Sequence, residues 1–243
     1  MLARKITSLQ HPLVKKWVSL RSDKSYREEN QRLLIVGKNQ IEELSREIEI
    51  HSLITLAPSE LAANDHFIVD EPILKKITGL HAPDGFAAEV SIPKPIDLSH
   101  KKHLLLLDKI SDPGNLGTLL RTAYALKWDG VIVTPDTVDL FNDKALRAGK
   151  GAIFRLPYAK LDQIEILSLA QEKKFHLYTA DTKGDAVENC EFKAPLLLIL
   201  SSESKGPGDW PSKKITIPMQ KKAESLNVAA SGAILLYLMR HSS

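Results

Sequence analysis

The sequence contains one cysteine and lacks a long uninterrupted apolar run. Cys190 alone can form neither a disulfide within the chain nor a zinc site built from cysteines. The longest nearly apolar stretch, residues 228–239, contains a serine and a glycine and is too short to span a bilayer. The beginning, MLARKITSLQHPLVKK, is basic and mixed, so we expect no secretory signal. These absences predict a cytoplasmic protein without a membrane partner.

A common nucleotide-binding fingerprint is missing as well. The chain has no G-x-G-x-x-G, the phosphate-binding signature of Rossmann dehydrogenases. A nucleotide-dependent oxidoreductase is therefore a poor interpretation of this sequence. No cluster of residues has the spacing of metal ligands, so we also expect a site without a metal ion.

Positive charge is concentrated near the N-terminus. The whole chain has a formal net charge of +3, whereas residues 1–32 carry eight basic and three acidic side chains, an excess of five. Such a segment attracts phosphates without sequence specificity, although a solvated helix face has the same composition. The charge therefore supports RNA binding without establishing it. The predicted RNA contacts in this segment are Lys15, Lys16, Arg21, Lys24 and Arg27.

The first part of the chain, residues 1–92, is predicted to be a small α/β domain. It contains a helical pattern (LVKKWVSLR), a strand (RLLIVG) and a helix that we expect Asn39 to open. A turn at Asp84-Gly85 precedes another strand. Residues 93–102 contain two prolines and several polar side chains, and they form the predicted linker.

Strands and helices alternate in residues 103–243, the predicted second domain. Helical patterns over 116–126 and 161–171 separate short apolar runs. Continuous apolar strands that alternate with helices favour a mainly parallel sheet with helices on both faces. The predicted strands cover 104–107, 131–133, 175–178, 196–200 and 215–217.

Polar side chains follow three of these strands, and ligands bind beyond the carboxyl ends of strands in open α/β sheets. In the first segment, LLLLDKISDPGNLGTLLRTA, Asp108 ends a strand and Asn115 lies where a helix N-cap belongs. Arg121 lies on the flank of the apolar helix stripe, and we expect it to reach toward the Asn115 loop. An ordinary capped helix with a surface arginine has the same pattern.

The second and third segments also place polar residues where a strand ends. In LLLILSSESKGPG, Glu203 follows a wholly apolar strand, and Gly206 permits close backbone approach to a ligand. In ITIPMQKKAESLNVAASGAILLYL, Ser225 is the predicted N-cap of a long apolar helix, and Asn227 follows it. Taken singly, the second segment is equally explained as a loop with an exposed acidic residue, and the third as the start of a core helix.

Together and in this order, the three segments resemble the motifs of the SpoU (TrmH-like) branch of the SPOUT RNA methyltransferases. The first carries N-x-G-x-x-x-R, and the third, I-P-M followed by S-L-N-V-A, is the most specific match. The second departs from the family's G-S-E-G-x-G-L, because Ser201 and Ser204 replace glycines and Pro207 stands next to the place of the usual leucine. The connecting region after residue 141 resembles the family as well, and residues 1–92 resemble its small RNA-binding domain.

The resemblance implies a SPOUT fold with a deep C-terminal trefoil knot, S-adenosyl-L-methionine as cofactor and an RNA ribose 2′-hydroxyl as acceptor. It also implies a homodimer in which Arg121 acts across the subunit interface. Because a guanidinium stays protonated, Arg121 is expected to fix a phosphate and stabilise alkoxide charge, and the general base stays open. The implied catalytic residues are Arg121, Asn115, Glu203, Ser225 and Asn227. The implied cofactor-binding residues are Thr179, Ala180, Asp181, Ser201, Gly206, Ile217 and Leu226.

Two questions about function stay open at the level of sequence. Arg147, in the connecting region, joins the predicted RNA contacts, but the target could be ribosomal or transfer RNA. Ribosomal RNA is the favoured substrate because the N-terminal domain indicates binding to structured RNA. The alternative is a catalytically inactive RNA-binding protein that keeps the SPOUT fold, which the substitutions at Ser201, Ser204 and Pro207 would favour.

Overall fold

The structure is a computed structural model that describes residues 3–202, 206–220 and 225–241. Its strands are β1 (Arg4–Ile6), β2 (Arg32–Val36), β3 (Ile50–Thr55), β4 (Asp65–Val69), β5 (Phe86–Ser91), β6 (His103–Asp108), β7 (Gly130–Val133), β8 (Tyr158–Lys160), β9 (His176–Ala186), β10 (Leu196–Ser201) and β11 (Lys213–Thr216). Its helices are α1 (Pro12–Ser22), α2 (Lys24–Asn30), α3 (Lys38–Leu44), α4 (Glu71–Thr78), α5 (Pro113–Ala125), α6 (Asp143–Gly149), α7 (Gln163–Lys173) and α8 (Val228–His241). No helix of these described ranges is long and apolar enough to cross a membrane.

The chain divides into two compact units. The first consists of Met1–Pro93 and Phe141–Gly151, and the second of Lys94–Leu140 and Ala152–Ser243. The first boundary falls at the start of the predicted linker. The segment 141–151 groups with the first unit because its helix α6 packs against β2. The predicted domains are consecutive stretches of the sequence, and they therefore place this segment in the second domain.

The first unit is built on a mixed five-stranded sheet in the order β1-β4-β3-β5-β2. Strand β5 follows a turn at Asp84-Gly85, as predicted, and pairs antiparallel with both β2 and β3. Helix α3 begins at Lys38, so the prediction that Asn39 opens it is wrong. Gly37 takes the N-cap with a φ of 116°, a conformation that favours glycine, and the Asp84 carboxylate accepts a 2.7 Å hydrogen bond from the Lys38 N–H.

The second unit contains a six-stranded sheet in the order β11-β9-β10-β6-β7-β8, in which every neighbouring pair is parallel. Helix α7 covers one face, where Ile166 and Ala170 join the core of the strands. Helices α5 and α8 cover the other face, since a Cβ at Gly232 of α8 would meet both Leu119 of α5 and Leu200 of β10. The predicted mainly parallel sheet with helices on both faces is confirmed.

A polar cluster around the buried His103 joins the last turns of α8 to the start of β6. The Nδ1 atom of His103 lies 3.3 Å from the Arg240 guanidinium and 3.6 Å from the Asp129 carboxylate. The Arg240 Nε donates to the Lys127 carbonyl at 3.1 Å, and the indole N–H of Trp128 donates to the Leu236 carbonyl at 3.1 Å. Because α8 also forms a wall of the cavity described below, this cluster fixes an element of the site from its far end.

The His103 cluster predicts a loss of stability at acid pH. Burial is the main cause that lowers the pKa of His103, and the nearby Arg240 charge lowers it further, against a smaller opposing effect of Asp129. The folded state therefore favours the neutral imidazole. Its contribution is complete above the ordinary histidine pKa of about 6.5 and is lost as the pH falls through the lower pKa of the folded protein. We expect urea denaturation to report a smaller free energy of unfolding at pH 5.5 than at pH 7.5.

The variant H103Q is expected to reduce this difference between the two pH values, whatever it does to stability at pH 7.5. H81Q is the matched control, because His81 is exposed and takes no part in the α8 cluster. We expect the full difference in H81Q, and in H103Q only the part that other groups contribute, among them His66, whose pKa burial also lowers. An unchanged pH difference in H103Q would contradict the assignment.

Candidate active site

A cavity of about 390 Å³ lies at the carboxyl ends of β11, β9 and β10 in the second unit. Residues 180–182 of β9, residues 200–202 at the end of β10 and residues 215–217 at the end of β11 and just after it form its walls, and α8 closes it. The walls combine apolar and polar residues. A volume in this range suits a small molecule. The apolar part consists of Leu200, Ile215, Ile217, Val228 and Leu235.

The cavity brings together most of the predicted cofactor-binding residues. Ala180, Asp181, Ser201, Gly206, Ile217 and Leu226 all line it, and so does Ser225 from the predicted catalytic set. Thr179 does not line the cavity. It is buried in β9, and its hydroxyl lies 2.6 Å from the hydroxyl of Ser212. Thr179 therefore supports the wall from behind.

The first and third predicted segments meet in space. The side-chain amide of Asn227 donates to the side-chain oxygen of Asn115 at 3.2 Å, although 112 residues separate them in the sequence. Helices α5 and α8, which begin beside these two residues, pack against each other. Arg121 is exposed on α5. The Asn115–Asn227 contact thus places the start of the arginine-bearing helix beside the start of the cavity-forming helix.

The predicted helix caps at these positions are wrong by two or three residues. Helix α5 is capped by Asp112, whose carboxylate accepts a 2.8 Å hydrogen bond from the Asn115 N–H. Asn227, not Ser225, caps α8, because its side-chain oxygen accepts a 3.0 Å hydrogen bond from the Ala229 N–H. At the start of each helix, two residues of types that commonly cap helices lie close together in the sequence. The residue that caps the helix is the one whose side chain reaches the free N–H groups of the first turn. The side chains of Asn115 and Ser225 therefore do not cap these helices.

Glu203 and Ser204 lie outside the residues that the structure describes. The described residues that follow them, Gly208 and Trp210, are bound by Asp108, which the sequence did not identify as a site residue. The buried Oδ2 of Asp108 accepts hydrogen bonds from the Gly208 N–H and from the indole N–H of Trp210, both at 3.0 Å. The available signal was a carboxylate at the end of a wholly apolar strand, which needs partners when it is buried.

Two polar groups of the cavity wall have contrasting environments. Lys214 Nζ lies 2.8 Å from the Asp181 carboxylate, which also accepts a 2.9 Å hydrogen bond from the Lys183 N–H. These two interactions hold the pKa of Asp181 below its usual range. The Ser201 hydroxyl is buried and has no hydrogen-bond partner within the described residues. Over the same described ranges, no group of three histidine, cysteine, aspartate or glutamate side chains is arranged to hold a metal ion.

The predicted RNA contacts differ in how closely their charged groups pair with acidic side chains. Lys15 and Lys24 are exposed, with Lys24 only 3.9 Å from Glu28. Lys16 Nζ lies 2.6 Å from the buried carboxylate of Glu89, and Arg147 forms a 2.6 Å ion pair with Asp143. The exposed lysines are therefore the stronger candidates for phosphate contacts.

Two arginines of this set are engaged inside the first unit. Arg27 is 4% exposed, and its guanidinium donates to the carbonyls of Leu20 and Arg21 at the end of α1. The half-buried Arg21 guanidinium lies against Gly79, in the space that a Cβ there would occupy. Burial and these contacts keep the Arg27 guanidinium away from the surface, and its role as an RNA contact stays a prediction. Net charge alone could not separate a buried helix-capping arginine from an exposed one.

A parallel sheet with a small-molecule cavity at the carboxyl ends of its strands, lined by residues of β9, of the end of β10, of β11 and of α8, defines a ligand-binding α/β domain. A family model described as the SpoU rRNA methylase family matches residues 102–237. The 23S rRNA (guanosine(2553)-2′-O)-methyltransferase RlmP of Bacillus subtilis is 30% identical, over 98% of this chain and 99% of its own length. The chain belongs to the SpoU rRNA methylase family.

Solved structures agree with this fold over nearly the whole chain. The structure of an rRNA methyltransferase from Sinorhizobium meliloti with bound AdoMet has a TM-score of 0.89 at 24% identity, and the alignment covers 98% of both chains. A structure described as an RNA 2′-O ribose methyltransferase has a TM-score of 0.84 at 26% identity, with 98% of both chains covered. The predicted SPOUT fold class is thereby confirmed.

Proposed function

We propose that this protein is an S-adenosyl-L-methionine-dependent RNA methyltransferase that methylates a ribose 2′-hydroxyl, with ribosomal RNA as its substrate. The observation that carries the proposal is the cavity, which gathers six of the seven predicted cofactor-binding residues. The Asn115–Asn227 contact supports it by joining the arginine-bearing helix to the cavity. The RlmP relative of Bacillus subtilis supports the choice of ribosomal RNA and of the 2′-oxygen.

The residues of the cavity fit the proposed cofactor. Its apolar wall suits an adenine ring, and the buried Ser201 hydroxyl, which has no partner in the described part of the chain, offers a hydrogen bond to a polar ligand. Gly206 has a φ of 63° and open space around its Cα, so the main chain there can approach a ligand closely. These three features are compatible with a nucleoside that carries an amino-acid chain through a sulfonium.

Catalysis in this proposal needs alignment and charge stabilisation from the protein. When bound, the cofactor supplies a methyl group already activated by its sulfonium. Arg121 would hold an RNA phosphate and stabilise the negative charge that develops on the ribose oxygen. Asn115 and Asn227 would keep the two helix starts together. Ser225 and Glu203 are the proposed residues that orient the ribose, and the general base stays unassigned.

We further propose a homodimer that forms through the second unit. Four large apolar side chains on or next to its helices α5 and α8 are between 37% and 54% exposed. They lie on α5, on α8 and just before α8, which are the elements that carry Arg121 and the cavity wall. Exposed apolar side chains on functional elements mark candidate association surfaces. They are Tyr124, Leu226, Ile234 and Tyr237.

The proposed activity is tested by transfer of labelled methyl from S-adenosyl-L-methionine to separate pools of unmodified rRNA and tRNA. We expect label in rRNA, at a position where alkaline hydrolysis fails because the 2′-oxygen is methylated. R121A is expected to lower the rate at least about 100-fold, the usual cost of losing a donor that stabilises developing charge. R46A, which removes another exposed arginine, is the matched control and should leave the rate unchanged.

Three other results would change the proposal. Label in tRNA alone would overturn the choice of ribosomal RNA and keep the reaction. No label in either pool, with no binding of the cofactor by calorimetry, would support the RNA-binding protein without catalysis. Full activity of a species that sedimentation shows to be a monomer would contradict the homodimer.

A further inference from the structure

Asp181 is the one charged side chain among the described residues that line the cavity. It lies on β9, between Ala180 and Thr182, which also face the cavity. The side chain is 14% exposed. The rest of the described lining is apolar or uncharged. An ionised carboxylate in such a wall costs free energy unless its oxygens find donors.

Both carboxylate oxygens of Asp181 are held by the protein. Oδ2 lies 2.8 Å from Lys214 Nζ, and Oδ1 accepts a 2.9 Å hydrogen bond from the Lys183 N–H. These contacts come from β11 and from β9 itself, so the carboxylate is fixed on two sides. An ionised carboxylate has about four acceptor positions, two on each oxygen. One acceptor position on each oxygen therefore remains available for a ligand.

A second aspartate of the same strand provides the comparison. Asp185 lies 3.7 Å from Lys213, so that two neighbouring lysines of β11 pair with two aspartates of β9. The side chain of Asp185 is 72% exposed and does not line the cavity. If the pairs served only to join the two strands, the exposed pair would do this as well. The burial of Asp181 and its position in the cavity wall set it apart.

We propose that Asp181 is a specificity-determining residue for the cofactor, in which a carboxylate held by Lys214 accepts hydrogen bonds from donor groups of S-adenosyl-L-methionine. The inference rests on the proposed function. The cofactor offers three donors of this chemistry, the ribose hydroxyls, the adenine amino group and the α-ammonium group. Lys214 is a positioning residue, since it acts through the carboxylate.

Calorimetric binding to the full-length protein tests the inference without measuring activity. We expect D181N to raise the Kd for S-adenosyl-L-methionine about 10- to 100-fold, the usual worth of a hydrogen bond to a charged group. K214M keeps the carboxylate and loses its support, so its Kd should rise by a smaller factor, about two- to fivefold. D185N, the matched control on the same strand, should bind as the unaltered protein does.

A second ligand identifies the donor group. 5′-Methylthioadenosine keeps the adenosine and lacks the amino-acid part, so a loss of affinity for it in D181N would indicate a donor of the adenosine, either a ribose hydroxyl or the adenine amino group. A loss confined to S-adenosyl-L-methionine would indicate the ammonium group. Equal affinities of D181N and D185N for both ligands would overturn the inference. If the unaltered protein binds neither ligand, the proposed function itself fails, and the two failures are thus distinguishable.

Discussion

D108A is expected to weaken cofactor binding and to destabilise the second unit. Asp108 is 2% exposed, and its carboxylate is the shared acceptor for the Gly208 N–H and the Trp210 indole N–H. Alanine would leave both donors buried without an acceptor, at about 1–3 kcal/mol each. Gly206 and Pro207, which line the cavity, directly precede this anchor. We therefore expect a loss of about 2–5 kcal/mol in the free energy of unfolding, measured by urea denaturation.

The conservative variant separates the hydrogen bonds from the charge. D108N keeps a side-chain oxygen at the same place, so it should recover most of the stability and most of the affinity measured by calorimetry. The difference in tryptophan fluorescence between D108A and D108N provides a further signal, because of the three tryptophans only Trp210 donates its indole N–H to Asp108. Equal stability and equal affinity of D108A and D108N would show that the anchor is not needed to form the cavity.

The strands of the second unit could be predicted because its sequence pattern and its environment agree. All five predicted apolar runs became strands, and those of β6, β7 and β10 are buried on both faces of the parallel sheet. The three-residue strand β8 escaped prediction, because Tyr158–Lys160 is too short to show a periodicity. The extension of β9 to Ala186 was also missed, since its second half is polar and only the pairing with β11 makes it a strand.

The contacts that shape the site depend on sheet order, which no local pattern contains. Asp108 meets Trp210 because β6 and β10 are neighbours, and Asp181 meets Lys214 because β9 lies between β10 and β11. The resemblance supplied the residues that line the cavity, and the structure brings most of them together. The roles assigned to Arg121 and Glu203, and the deep trefoil knot, stay predictions.

G184A is expected to disrupt the pairing of β9 with β11. A Cβ at residue 184 would lie 2.5 Å from the main-chain N of Ile215 and 2.5 Å from the main-chain carbonyl carbon of Lys214. These are backbone atoms of the paired strand, which cannot rotate away as a flexible side chain does. The register of the two strands also shifts between Lys214 and Ile215, so the close approach belongs to an irregular crossing. We expect a loss of about 3 kcal/mol or more in the free energy of unfolding, at the upper end of overpacking costs.

The same substitution at Gly206 is the matched control. A Cβ there meets nothing within 4 Å, so G206A adds no clash and costs only the strain of its φ of 63°, about 1 kcal/mol. Because Ile215 and Ile217 line the cavity from β11, displacement of this strand in G184A should also lower cofactor affinity in calorimetry. The prediction would be contradicted if G184A were as stable as G206A and bound the cofactor with unchanged affinity. In that case β11 could shift without loss of stability, and the close backbone approach would have no part in forming the cavity.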